Sequence, residues 1–336
     1  MTQFGGRKVW VILLMVLGFL LTFPYLPAAA QGPGQVMMEK STAPPEEKKD
    51  GPPTTCGPLI SDSCIPIEEH HACLQVLGAL SFFAANFSPN WRRVSTRGDF
   101  HTFSLPVKFT YGPTKNLELY VIAPFIVNWA SNVDRGAAGP NGERSASYAG
   151  IGDMTAVAKY LLLEETDFRP AVTAVGGVGF PTGHAHHLNP AFLTQDDVGT
   201  GSFNFITGIN LIKWLKPFMV YSNIWLNSPI NAFPLRGSDL PQNVRNRENV
   251  TFNLAAEYPI TKKWILLLEM YSTWTWSNPG TESLGFQSAT TVLGFLPGIE
   301  YFTSEKWAVS AGAAFDVVGK YGARKITPAL AVYYNF

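Results

Sequence analysis

The chain is poor in cysteine, poor in charge and poor in long apolar runs, and each shortage excludes something. Three cysteines in 336 residues cannot make a disulfide scaffold, and all three (Cys56, Cys64 and Cys73) precede the main body of the chain. Charged residues are 15% of the total, against about 25% in ordinary soluble domains. Lysine plus arginine and aspartate plus glutamate are both 25. That balance removes the electrostatic footprint of a nucleic-acid binder. After the first thirty residues no stretch is long, apolar and charge-free enough for a membrane helix. What is plentiful is aromatic side chain, 13% of residues. Low charge with many aromatics excludes wholesale disorder and demands somewhere to put apolar surface.

The first thirty residues read as a secretory signal. Arg7 and Lys8 form a basic start, and Val9 to Leu21 is an apolar run too short to span a bilayer comfortably. Ala28, Ala29 and Ala30 supply a small-residue cleavage site, so residues 1–30 are expected to leave. Residues 31–72 are expected to form a disordered periplasmic segment. Their first part, with "STAPPEEKKDGPPTT", is too rich in Pro, Gly and charge to bury a core. Their second part, "CGPLISDSCIPIEEHHAC", mixes Cys56, Cys64, His70, His71 and Cys73. It lacks the Cys-x-x-Cys pairs of a zinc site, so a disulfide, most simply Cys56–Cys64, is favoured over a metal. The third cysteine is left unassigned.

From residue 73 onwards the chain alternates. In "ENVTFNLAAEY", Val250, Phe252, Leu254, Ala256 and Tyr258 share one parity, and Asn249, Thr251, Asn253, Ala255 and Glu257 the other. "KWAVSAGAAFDV" and "HTFSLPVKFTY" divide in the same way, and "ALAVYYNF" alternates to the last residue, Phe336. Side chains of one parity lie on one face of a strand, so these runs predict strands with one apolar and one polar or small face. About twelve such runs are expected. They fall near 73–88, 100–111, 117–129, 149–163, 169–181, 201–213, 217–228, 248–259, 264–276, 286–302, 306–318 and 324–336. The first of them could also be a short buried helix.

Loop lengths then sort by parity. Connections near 89–99, 130–148, 182–200, 229–247, 277–285 and 319–323, long in all but the last, alternate with tight ones at "GPTKN", "EETDF", "LKP", "ITKK" and "SEK". Sandwiches have no reason to sort loops in this way, whereas transmembrane barrels put long loops outside and short turns in the periplasm. Trp129, Trp214, Trp264, Trp274, Trp276 and Trp307 lie near strand ends, where interfacial girdles sit. The expected fold is all-β: a transmembrane antiparallel up-and-down barrel of about 12 strands over 73–336. Its apolar face would touch outer-membrane lipid.

The motifs now carry a resemblance. "AGIGDMTAVAKYLLL", "RPAVTAVGGVGFPTG" and "GTGSFNFITGINLIKWLKPFMVYSNIWLN" resemble the outer-membrane transporter family assigned to the MetA pathway of phenol degradation. The matching positions are Gly150, Gly152 and Asp153, then Pro181, Thr182 and Gly183, then Gly199, Thr200, Gly201 and Ser202. The resemblance covers roughly residues 100–336. It implies a barrel, a Gram-negative-type outer membrane and passage of small, apolar molecules. The ending "YYNF", with Tyr334 and Phe336, resembles the signal that the barrel-assembly machinery reads in outer-membrane proteins.

Candidate chemistry lies on the inward parity: Lys108, Glu118, Asp153, Lys159, Glu257, Glu269, Asp316 and Lys325. A basic residue on the lipid face would cost about 2–4 kcal/mol at mid-depth, which forces these groups into the lumen. Lys108 with Glu118, and Asp316 with Lys325, are expected to pair across hairpins and brace the wall. Glu257 and Glu269 lack an evident partner and are the better candidates for solute contact. His184, His186 and His187 stand in a long loop, with Asp196 and Asp197 nearby, where a polar loop is favoured over a metal site. No Gly-x-Ser-x-Gly occurs. A rim hydrolase would have to draw on His101 or His184 with Ser147 or Ser202. The expected function is passive passage of a small organic solute, with no enzyme activity and no cofactor. Alternatives are a rim lipid hydrolase, or a sealed structural barrel with residues 31–72 as its plug.

Overall fold

The computed structural model describes residues 58–185, 188–231, 247–277, 288–304 and 306–336. The expected signal peptide, most of the Pro-rich segment with Cys56, and His186 and His187 lie outside the described residues. Strands appear wherever the alternation runs. They are β1 (Ala72–Phe87), the two-residue β2 (Arg93–Val94), β3 (Asp99–Thr114), β4 (Leu117–Ser131), β5 (Ala146–Ile151), β6 (Met154–Leu163) and β7 (Ala171–Phe180). The second half holds β8 (Ser202–Leu215), β9 (Phe218–Asn231), β10 (Asn249–Pro259), β11 (Trp264–Thr275), β12 (Thr290–Phe302), β13 (Trp307–Lys320) and β14 (Ala323–Asn335). β2 only extends a loop, and β5 and β6 both pair with β4, so they form one interrupted wall strand. Twelve antiparallel wall strands remain, each beside its chain neighbour. The ambiguous first run is a strand, not a helix.

β14 pairs with β1 and closes the barrel. Pairing continues past the strand end: Ala72 N–H donates to Phe336 O at 2.8 Å and Phe336 N–H to Ala72 O at 2.9 Å. No sheet edge is left along this seam. The two parities separate as expected. On β14, Ala331 and Tyr333 are wholly buried inside, while Leu330 is 53% exposed outside. Trp264, Trp274 and Trp307 also stand on the outer face near strand ends, and Trp264 and Trp307 lie against Tyr301 and Tyr334. Short turns at 115–116, 164–170, 216–217, 260–263 and 303–306 mark one end of the barrel, which also holds Ala72 and Phe336.

The wall has one irregularity. β4 pairs with β5 and then with β6 in a register shifted by one residue, the shift falling at Gly152 and Asp153. A one-residue slip exchanges the faces of a strand. Even-numbered residues therefore face inwards in β5, and odd-numbered ones (Val157, Lys159) in β6. On this side β7 pairs with β6 and not with β5, so among the described residues no strand pairs with the second side of β5.

The outer face is the surface a membrane barrel gives to lipid, and Leu330 lies well inside it. Leu330→Arg should destabilise the refolded barrel in liposomes by about 2–4 kcal/mol, read from urea unfolding. A loss under about 0.5 kcal/mol would mean that this face meets water.

Candidate functional site: a segment latched inside the barrel

Residues 58–71, expected in the periplasmic segment, run inside the barrel at its short-turn end. The reason is chemical complementarity between this stretch and the inward parity. Three successive backbone N–H groups, of Leu59, Ile60 and Ser61, point at the Glu269 carboxylate. Leu59 donates to Oε1 at 3.0 Å, Ile60 to Oε2 at 3.1 Å and Ser61 to Oε2 at 2.7 Å. Consecutive N–H groups of this kind form an anion nest. Glu269 is therefore fully engaged and 0% exposed, not the free lumen group expected from its lack of a wall partner.

Asp62 is the second anchor. Its carboxylate lies 3.3 Å from Lys108 Nζ and 3.2 Å from Lys159 Nζ, and it accepts from Asn210 Nδ2 at 3.1 Å. Its backbone exchanges two hydrogen bonds with the Asn223 amide, both 2.9 Å. Lys159 also reaches Glu118 at 2.7 Å and donates to Ser63 O at 2.8 Å. Glu118 in turn accepts from Ile67 N–H at 2.9 Å. Burial pushes the Asp62 carboxyl up, but Lys108 and Lys159 outweigh it and hold the group below its ordinary value. Removing one member of such a buried cluster leaves the others as uncompensated charges.

Cys64 follows. Its thiol is 0% exposed, 3.2 Å from Thr173 Oγ1 and 3.3 Å from Asn210 O, among Ala171, Ile212, Tyr221 and Ala255. It is a free thiol, and Cys73 is disulfide-bonded. The expected Cys56–Cys64 pairing is thus corrected: the latch carries the Cys64 sulfur into the barrel wall. Burial pushes this thiol up to about 11, against the opposing Thr173 hydrogen bond. Leu59 packs on inward apolar side chains of the facing wall, among them Ile265, Leu296 and Tyr333. The segment leaves over Gly112. A Cβ there would stand 2.5 Å from Glu68 O, so only glycine lets the chain cross the rim at this point.

Several expected site residues keep their face but change partner. Lys108 bonds Asp62 and covers the Tyr120 ring, and Glu118 bonds Lys159, so these two do not pair across their hairpin. The register explains it, because Lys108 faces Ile122 whereas Glu118 faces Lys159. Asp316 accepts from Tyr271 Oη and from the Lys325 backbone N–H, both at 2.8 Å, while the Lys325 ammonium lies over Phe83. Glu257 accepts from Tyr221 Oη at 2.7 Å, and its other oxygen has no partner among the described residues. Sequence reasoning missed Asp62, Asn210, Asn223 and Glu300. A signal existed for two of them. Thr173, Asn210, Asn223, Asn253 and Tyr271 stand directly opposite one another across β7–β11, a continuous inward polar row.

Asp153 does not line the lumen. It sits at the wall irregularity and ties the three glycine-rich motifs together: Oδ1 accepts from Gly183 N–H at 2.9 Å and Oδ2 from Thr200 N–H at 2.7 Å. Thr182 Oγ1 bridges Gly152 O and Met154 N–H. A Cβ on Gly199 would meet Gly183 at 2.6 Å, so two backbones touch there. These bonds turn the 181–201 loop inwards. Asn128, on the inward parity of β4, donates to Gln195 O at 3.0 Å, and Tyr148 stacks on His184 and meets Phe192 edge-on. His184 also bonds Asp196 O, and among the described residues no metal-holding cluster of His, Cys, Asp or Glu occurs. The rim side chains are likewise engaged: His101 lies between Phe82 and Trp129, and Ser202 Oγ is 3.2 Å from Thr200 Oγ1.

Cys64 reports on the latch. In the native protein at pH 7.5 it should resist a maleimide added to the folded barrel. Glu269→Ala, which leaves three N–H groups without their acceptor, should speed labelling at least tenfold. Equal rates in the two proteins would mean that Glu269 does not hold the segment.

The comparisons follow from this geometry. The family model "Putative MetA-pathway of phenol degradation" matches residues 92–327. No curated protein matches the chain in sequence. Among solved structures, the COG4313 outer membrane channel of Pseudomonas putida F1 superposes with a TM-score of 0.65 at 16% identity, covering 81% of this chain and 98% of that one. The NalP autotransporter translocator domain of Neisseria meningitidis gives 0.44 at 10% identity, over 80% and 90% of the two chains. The toluene transporter TbuX of Ralstonia pickettii gives 0.38 at 11%, over 80% and 90%. With a matched model spanning most of the barrel, and with the Gly-Asp, Pro-Thr-Gly and Gly-Thr-Gly-Ser motifs meeting at one point of a closed β-barrel wall, the chain belongs to the MetA-pathway of phenol degradation family.

Proposed function

We propose that the protein passes a small, apolar or aromatic organic solute through the outer membrane, and that its own N-terminal segment gates the passage from the periplasmic side. One observation carries the reading. The lumen at the short-turn end is filled by a separate stretch of chain, held by a carboxylate nest and a buried ion cluster. A barrel sealed for structural reasons alone would fill its lumen with wall side chains. A latch of polar bonds can exchange its partners for water, whereas a dry core cannot do so without cost. The low charge and apolar outer face agree with a solute that partitions into lipid. In this reading the terminal Tyr334 and Phe336 serve as the assembly signal.

A second exit is favoured by the wall itself. Among the described residues β5 has no strand on its far side, and the 181–201 loop lies at the gap through Gly183, Val198 and Gly199. An unpaired strand edge facing hydrocarbon is unfavourable. It is tolerated where it borders a passage, and an apolar solute could leave sideways there.

Single-channel recording in planar bilayers tests the gate. The native protein should show rare, brief openings, and Glu269→Ala and Asp62→Asn should each raise the open fraction at least tenfold. The pH dependence has a definite sign. The Asp62 carboxyl lies below its ordinary 3.8 when docked, so its contribution is complete above that value and is lost as pH falls through the lowered one. Lys108, Lys159, Glu118, Asn210 and Asn223 surround it. Openings should therefore be insensitive to Asp62 between pH 8 and 5 and increase below about pH 3.8. That increase should be weaker in Asp62→Asn. Unchanged conductance in both variants would remove the gate.

A further inference from the structure

The mouth of the barrel, opposite the latch, carries a cavity that neither the latch nor the wall explains. It has a volume of about 570 Å³ and lies between the 132–145 loop and the inward-turned 181–201 loop. Its walls include Phe100, Val133, Ala137, Pro140, Pro190 and Leu193. Among the described residues, no charged side chain lines it. Phe100 is the inward residue at the upper end of β3, so the floor of the cavity continues into the lumen wall.

The backbone beside it is held in an unfavourable form. Leu193 and Thr194 both line the cavity, and both have left-handed φ values, 53° and 64°. A β-branched residue in this region is a clear outlier, and such strain persists only when the surroundings enforce it. Here they do. Asn189 caps the short 3₁₀ turn Pro190–Phe192, the 1%-exposed Asp196 accepts from Asn189 N–H at 2.7 Å, and Gln195 Nε2 bonds Leu193 O at 2.9 Å. A simple surface loop would relax. This one keeps Leu193 turned towards Phe100 and Val133 and keeps the cavity open.

We propose that this cavity is a capture site for a small uncharged apolar molecule, of the size of one or two aromatic rings, before it enters the barrel. The inference rests on the channel reading, since it supplies the site from which an apolar solute would be delivered. The volume lies inside the range of about 300–1,000 Å³ usual for small-molecule sites. With a mostly apolar lining, in which Thr194 is the one polar side chain, affinity comes mainly from area removed from water, at about 25 cal/mol per Å². An anion or a cation would lose hydration without gaining a partner.

The test uses full-length protein in nanodiscs, with 1-aminoanthracene as fluorescent probe, toluene as competitor and empty nanodiscs subtracted. The native protein should bind the probe saturably, and toluene should displace it. Ala137→Trp, which fills the cavity, and Leu193→Asp, which charges its wall, should each weaken binding at least tenfold. Both variants should keep the heat-modifiable gel shift of a folded barrel. Probe signal equal to empty nanodiscs, or native-like binding in both variants, would overturn the site. Conductance recorded on the same variants separates the two ideas. Normal gating without probe binding would overturn the capture site and leave the channel, whereas saturable binding lost in both variants supports the site even if no conductance is seen.

Discussion

Everything in this molecule follows from one constraint: in hydrocarbon a backbone N–H or C=O without a partner, or a charge without a counterpart, is too costly to leave standing. Pairing therefore continues from β14 to the last residue, where Phe336 and Ala72 exchange two hydrogen bonds. The same constraint sets the face of every charged side chain along the strands. Lys108, Lys159, Glu118, Glu257, Glu269 and Glu300 all point inwards, and all but Lys108 are at most 4% exposed even with the lumen as their only outlet. Once inside, they face the same demand a second time. A narrow lumen holds little water, so each charge needs a partner of its own.

The N-terminal segment meets that demand. The basic pair on β3 and β6 lies on one side of the lumen and the acids of β10, β11 and β12 on another, and the segment crosses between them. It offers each side what it lacks: Asp62 to the lysines and three N–H groups to Glu269. Such an arrangement is specific more than it is strong. Desolvating two ions costs much of what their attraction returns, so a buried ion cluster mainly fixes one register of docking. A segment shifted by a single residue would place Ser61 or Ser63, neither of them charged, opposite Lys159. That combination of exact placement and modest net energy is what a releasable closure requires.

Most of the wall was legible in the sequence because a strand's alternation records its environment directly. Leu330 and Ala331 differ by one position and by the whole of their exposure, and the pattern "ALAVYYNF" states as much. The pairing of the lumen charges was not legible. Lys108 and Glu118 look nearly opposite across the "GPTKN" stretch, but the strands run on to Thr114 and Leu117 with only residues 115–116 between them, which puts Lys108 opposite Ile122, four positions from Glu118. Glu269 looked free because its partners are backbone N–H groups, which carry no sequence signature. Asp62 sits in a stretch of mixed polarity that composition reads as solvent-exposed. Its burial depends on two lysines that lie 46 and 97 residues further along the chain, and on Asn210 and Asn223 beyond them. Cys64 was misassigned for the same reason, since proximity in sequence to Cys56 said nothing about Thr173.

The bulge at Gly152 shows why the family motif is architectural before it is anything else. β6 must face Lys159 inwards to hold Asp62 and Glu118. In an unbroken strand the same parity would turn Ile151 into the lumen and Tyr148 out to lipid. The single extra residue reverses the faces, so Ile151 is 61% exposed outside while Tyr148 stacks on His184 inside. The slip leaves β5 without a second strand neighbour among the described residues, and just past its end Asp153, Thr182 and the touching glycines 183 and 199 hold the 181–201 loop at the break. Thus the lower half of the barrel takes its order from charges bonded to a separate segment. The upper half takes its order from an inward loop pinned at the defect that those charges impose on the wall.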